Sequence, residues 1–226
     1  MGTDNIFQRR KPKSASKLKR KGAIREPYDK VLIVCEGSKT EPNYFRGLID
    51  YFKLKSANVA IDGSCGSSPC SVLKRAQELQ EKELKSGSPF DKVYCVFDKD
   101  AHQTYQATMD KIAKIKPKGV FNAANSIPSF EFWLLLHFIY STKPYIKNGK
   151  MSSGDLVKKD LLVHHPDYKK KSKDTFLVLQ PKLETAIANA AKVLATAERN
   201  GTDNPTTHIH TLVEYLRDLN KKKKTA

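Results

Sequence analysis

Three carboxylates stand where two apolar runs end. Asp98 and Asp100 follow the run Lys92-Val-Tyr-Cys-Val-Phe97, and Glu36 follows Lys30-Val-Leu-Ile-Val-Cys35. Residues two apart in extended chain point the same way, so the two aspartates share a direction. Clustered hard oxygens suit Mg²⁺ or Mn²⁺, and a bound cation offsets the repulsion among them. Such an ion amid a basic surface can bridge a phosphodiester, generate hydroxide and stabilise the charge that develops. Each aspartate is also a plausible helix cap and Glu36 a plausible turn residue; three acids at two strand ends favour the metal site.

The elements that must position these acids follow from the hydrophobic pattern. A continuous apolar run reads as a strand buried on both faces. We read strands at 30–35, 58–62, 92–97 and 119–123, alternating with helices at 42–52, 71–85 and 103–115. That alternation predicts a parallel α/β sheet. In doubly wound sheets the first and third strands are commonly neighbours and flank the ligand crevice, which brings Glu36 beside the Asp98 and Asp100 pair. Beyond residue 128 the pattern changes to an apolar helix (130–140), a polar Lys-rich stretch (143–175) and two closing helices (183–199 and 206–219). Asn204-Pro205 reads as the start signal of the last helix. The expected organisation is a basic arm (1–27), an α/β core (28–128), a helical C-terminal part completing the fold (129–220) and a basic tail (221–226).

The chain carries 41 Lys+Arg against 24 Asp+Glu, a formal charge of +17 over 226 residues. The segment 1–27 holds nine basic residues, Arg9, Arg10, Lys19, Arg20 and Lys21 among them, against Asp4 and Glu26. With so little apolar content it is expected to be disordered and to attract polyanions by counterion release, or merely to aid solubility. Nucleic acid, RNA or DNA, is the expected partner. No apolar run reaches the roughly 20 residues of a membrane span, and no leader-like segment opens the chain, so a cytoplasmic protein is expected. Four cysteines (Cys35, Cys65, Cys70 and Cys95) are too scattered for a disulfide framework. Gly37-Ser-Lys-Thr40 is not a phosphate-binding P-loop, because Ser38 and Ile33 stand where that motif needs glycine.

Other residues invite chemistry less directly. Glu131 lies in an apolar helix, so it is expected either to join the metal site or to pair with a core Lys or Arg. His137 reads as a satisfied core histidine. His164-His165 and Tyr168-Lys169-Lys170-Lys171 form a basic loop able to contact phosphate. Lys39, beside the first acid, is a further candidate for nucleic-acid contact.

The segment Val34-Cys-Glu-Gly-Ser-Lys-Thr-Glu-Pro-Asn-Tyr-Phe45 resembles the opening motif of RloB-like proteins, phage-defence components of bacteria and archaea. Val96-Phe-Asp-Lys-Asp100, Ser129-Phe-Glu-Phe-Trp-Leu-Leu-Leu-His-Phe138 and Asn204-Pro-Thr-Thr207 resemble its later motifs, in order, across residues 30–219. The family looks like a branch of the Toprim fold, in which a Glu after the first strand and an Asp-x-Asp after the third bind divalent metal. The resemblance thus implies a Toprim-like α/β sheet with a helical C-terminal extension, with Glu36, Asp98 and Asp100 as metal ligands. Whether Glu36 is a ligand or the base is left open. Glu-Gly-x-x-Thr-Glu also resembles OLD-type nucleases, adding Glu41, although a carboxylate at a helix start is favoured by the dipole anyway. What the resemblance implies is an antiviral, abortive-infection nuclease cutting nucleic acid such as tRNA, paired with an ATPase. The alternatives are a non-catalytic basic subunit of a defence complex and a nucleotide phosphatase or phosphotransferase.

Overall fold

The computed structural model describes residues 28–55, 58–99 and 102–219. The basic arm (with Arg9, Arg10, Lys19, Arg20 and Lys21), the tail at 221–226 and Asp100 lie outside the described residues.

The first strand, β1 (Val31–Cys35), is buried along its whole length, as its uninterrupted apolar sequence requires. Its side chains alternate between two cores. Val31, Ile33 and Cys35 join one apolar cluster, whereas Leu32 and Val34 join the other. Helix α1 (Thr40–Tyr51) leads to β2 (Val59–Asp62), α2 (Pro69–Lys85) to β3 (Lys92–Asp98), and α3 (Tyr105–Lys114) to β4 (Phe121–Ile127). The chain then forms α4 (Phe130–Leu135), α5 (Ser153–His164), α6 (Thr175–Leu179), a 3-10 turn, α7 (Leu183–Asn200), β5 (Thr206–Thr207) and α8 (Ile209–Asp218).

The sheet has five strands in the order β2-β1-β3-β4-β5. The first four are parallel, and β5 runs antiparallel to β4. The α/β class and the adjacency of the first and third strands are as the sequence predicts, and the arrangement is consistent with a Toprim-like fold. One face carries α2 and α3, with Val72, Leu73, Ala76, Tyr105 and Ile112 on the sheet. The other carries a larger core of α1 and the C-terminal helices around Tyr44, Phe45, Trp133, Phe176 and Leu212. The cysteines are free thiols, with Cys35 and Cys95 buried. Among the described residues no helix is long and apolar enough to cross a membrane.

Several boundaries differ from expectation. Helix α1 starts at Thr40, placing Pro42 within the first turn, where its missing N–H costs nothing. The capping box of Ser68 and Ser71 starts α2 at Pro69, two residues early. Strand β4 extends to Ile127, and α4 is one and a half turns rather than three. The polar stretch contains α5, which Ser152 and Asp155 cap reciprocally. Pro205 does not open the last helix: Thr206–Thr207 first pair with Ser126 and Ile127, and α8 begins at Ile209.

Candidate metal centre

The parallel sheet gathers the ends of β1 and β3 at one edge. Glu36 leaves β1 with its N–H donated to Val96 O (2.9 Å), and its carboxylate turns across the end of β3. There Oε2 accepts from the Asp98 N–H at 3.1 Å, and Oε1 lies 3.2 Å from His102 Nε2. Glu36 and Asp98 therefore meet as the register between β1 and β3 requires. His102 is the functional candidate that sequence reasoning missed. Four residues past Asp98 in an irregular turn, it carries no periodicity signal.

The Asp98 carboxyl faces the Phe130 N–H at the start of α4, which works to lower its pKa. It keeps partial solvent access although protein surrounds it on most sides. Burial, and then the negative charges of Glu41, Glu131 and Glu36, push it well above the usual carboxylate range. Glu41 is in the same position: burial first, then Glu131 and Glu36, raise it from 4.5 to about 7, against the lowering effect of its own N–H and Lys170. Its side chain folds back over Gly37, where a Cβ would stand 2.1 Å from Glu41 Oε2. Glycine at 37 is thus a condition for Glu41 to face the cluster.

Glu131 is the most enclosed of the four, at 4% exposure. Its oxygens accept from Ser129 Oγ (2.9 Å) and Tyr168 OH (3.3 Å) and pair with Lys170 Nζ at 3.0 Å. The expected basic partner is therefore Lys170, brought by the Lys-rich loop. Asn43 Nδ2 holds that loop down by donating to Lys171 O (2.9 Å), while Lys171 N–H donates to Thr40 Oγ1 (3.4 Å). Lys170 reaches inward with its ammonium half-exposed, whereas Lys169 and Lys171 stay exposed. Lys39 is exposed at the start of α1. His164 and His165 lie against Phe138 rather than at the acids. His137 is a core residue whose Nδ1 meets Trp133 O at 3.1 Å.

A fifth carboxylate at this edge, Asp62, is already neutralised. Burial raises its pKa, but the Ser64 N–H and the Arg75 guanidinium, at 2.9 Å, outweigh it and hold the group below its usual range. By contrast, Glu41, Asp98 and Glu131 share one described lysine, Lys170, while Glu36 faces His102. Among the described residues no three His, Cys, Asp or Glu side chains close into a ready-made metal-holding group. The donor chemistry nevertheless fits a hard divalent cation: all four acids offer oxygen, and Asp98 and Glu41 are pushed up by burial first and then by neighbouring carboxylates.

Fold and edge together define an α/β protein with an electronegative cluster at the carboxyl ends of its central parallel strands. The chain matches the family model for RloB-like protein over residues 31–216 and belongs to that family. Neither the curated proteins nor the solved structures contain a match to it.

Proposed function

We propose that this chain is a divalent-metal-dependent nuclease that hydrolyses phosphodiesters, RNA such as tRNA ahead of DNA, as an effector of phage defence. The observation that carries the reading is the convergence of Glu36, Glu41, Asp98 and Glu131 on one sheet edge with a single lysine, Lys170, among them in the described residues. Like charges are costly to gather in a protein-enclosed site unless a cation or a reaction uses them.

Asp98 is the central ligand, with Glu41, Asp100 and Glu131 as further oxygens for Mg²⁺ or Mn²⁺, and Glu36 is kept for the proton. When bound, the ion supplies Lewis acidity at the phosphoryl oxygen and lowers the pKa of a water. The chain's own residues do the rest. Glu36, held by the Asp98 N–H, directs an oxygen to His102 and makes this pair the route for the proton of the attacking water. Lys170, with donors to spare beyond its bond to Glu131, faces the incoming phosphate. Lys39, Lys169, Lys171 and the basic arm add sequence-blind attraction for the polyanion. Family membership supports the defence role; action in the cytoplasm and a partner ATPase are part of the proposal.

The test incubates the full chain with total RNA and with plasmid DNA, with Mg²⁺, with Mn²⁺ and with excess chelator. Wild type should cut only with metal. Asp98→Asn should lose at least about 10²-fold in rate, as for loss of one preorganised charge-stabilising group, while salt-dependent binding persists. Cutting in chelator, or an Asp98→Asn variant as active as wild type, overturns the reading. A second reading, a non-catalytic basic subunit, rests on the structural role of Glu36 in closing the end of β3. It predicts binding with a steep salt slope and no cleavage under any metal.

A further inference from the structure

Beside the acid cluster, and separate from it, a cavity of about 260 Å³ opens at the carboxyl ends of β3 and β4. It is smaller than the roughly 300 Å³ at which pockets for drug-sized ligands begin, so it takes part of a nucleotide rather than enclosing a whole one. Its walls divide by chemistry. Ile127, Pro128, Tyr145 and Ile146 form an apolar side, and Lys99 and Lys147 form a cationic one. Ile146 is 71% exposed, a large apolar side chain left uncovered at the mouth. Ser153, the first residue of α5, also lines the cavity.

The walls are held in place. Asn204 Nδ2 donates to Tyr145 O at 2.9 Å, and the Tyr145 N–H donates to Asn204 Oδ1 at 3.2 Å. This two-way amide clasp ties the stretch bearing Ile146 and Lys147 to the lead-in of β5. The cavity also shares its boundary with the acid site. Lys99 directly follows Asp98 and is anchored by its N–H to Ser126 O at 2.9 Å. On the other side, the first turn of α5 abuts Ser129, whose hydroxyl holds Glu131. The cavity and the acid site are thus neighbours through Lys99 beside Asp98 and through Ser129 beside Glu131.

Charge within the cavity is arranged as an exchange. Lys99 Nζ is paired with Asp203, both groups being more than a third exposed. Lys147 is exposed and pairs with no carboxylate among the described residues. An incoming phosphate meets Lys147 directly and competes with Asp203 for Lys99.

The geometry points to this cavity as the subsite for the nucleotide flanking the cleaved phosphate of a single-stranded nucleic acid. The base lies against Ile146 and Pro128, its phosphate is held by Lys147 and Lys99, and Asp203 acts as the competing anion. This inference rests on the proposal that the chain acts on nucleic acid, but its test does not depend on cleavage.

The full chain is titrated by fluorescence anisotropy with labelled single-stranded RNA and DNA oligonucleotides in chelator, over a series of salt concentrations. Lys147→Ala should weaken binding and lower the slope of log K against log salt by about 0.7, the share of one phosphate on a single strand. Asp203→Asn should tighten binding about threefold, the scale of one exposed ion pair. Lys118→Glu, beyond α3 at the opposite edge of the sheet, serves as the comparison for Lys147→Glu. Selective weakening by Lys147→Glu supports the subsite. Equal losses from the two reversals, or weaker binding by Asp203→Asn, overturn it. If wild type never cleaves with metal yet Lys147→Glu is selectively impaired, the nuclease reading fails and the cavity stands as a nucleotide-binding site with no cleaved phosphate beside it.

Discussion

Replacing Glu41 by Gln tests the electrostatic state of the carboxylate cluster without needing a substrate. In the metal-free protein the Glu41 carboxyl is raised from 4.5 to about 7, by burial first and then by Glu131 and Glu36. A carboxyl with a raised folded-state pKa penalises folding only once the unfolded chain ionises. The cost is thus absent at acid pH, grows as pH rises from about 4.5 to about 7, and is complete above that. At 1.36 kcal/mol per unit, the shift amounts to at most about 3 kcal/mol at pH 8. For a chain of this size, about 2–4 °C in Tm corresponds to each kcal/mol. Glu41→Gln, which keeps the shape and removes the charge, should therefore raise Tm at pH 8 in chelator, by at most about 6–12 °C, and by little at pH 4.5. Thermal denaturation followed by circular dichroism at the two pH values reads both. Added Mn²⁺ should stabilise wild type more than the variant, because binding to the folded state alone is what shifts Tm. A variant no more stable than wild type at pH 8 in chelator refutes the account of Glu41 as an unneutralised member of the cluster.

Two further substitutions probe the same edge. Lys170→Met leaves Glu131 enclosed with only the Ser129 and Tyr168 hydroxyls as donors, and urea denaturation at pH 7.5 should show a loss of about 1–3 kcal/mol, the cost of an under-satisfied buried group. Unchanged stability would mean that the ion pair is ornamental. Gly37→Ala puts a Cβ where Glu41 Oε2 now stands; because the flexible carboxylate can swing away from the cluster, Tm at pH 8 in chelator should rise toward that of Glu41→Gln rather than fall. Its Mn²⁺-dependent gain in Tm should fall to that of Glu41→Gln, and a gain equal to wild type would sink the claim that Gly37 makes room for Glu41.

Much of the edge is legible from local pattern. The apolar runs at Val31–Cys35 and Lys92–Asp98 mark buried strands, and Glu36 and Asp98 at their ends are brought together by the adjacency that doubly wound sheets favour. The charged residue inside the apolar run Phe130–Leu135 signals a partner but does not name it. That partner, Lys170, lies far along the chain in a stretch whose polarity conceals a helix as well. Helix α5 buries only Val157 and Leu161, too few for an apolar stripe to announce it, and its evidence is the Ser152 and Asp155 cap. Strand β5 is two residues long, and Asn204-Pro205 before it imitates a helix start, so pairing with β4 could be seen only in the folded sheet.

Residue type and order thus determine that the chain has a parallel α/β core, that acids end its central strands, and that its surface is strongly basic. Those properties follow from side-chain period and burial, which act within a few residues. The tertiary structure alone decides that Glu41 folds over Gly37, that His102 meets Glu36, and that Lys170 closes on Glu131. Each is a contact set by packing and by the cost of enclosing charge, and neither of these leaves a period in the sequence.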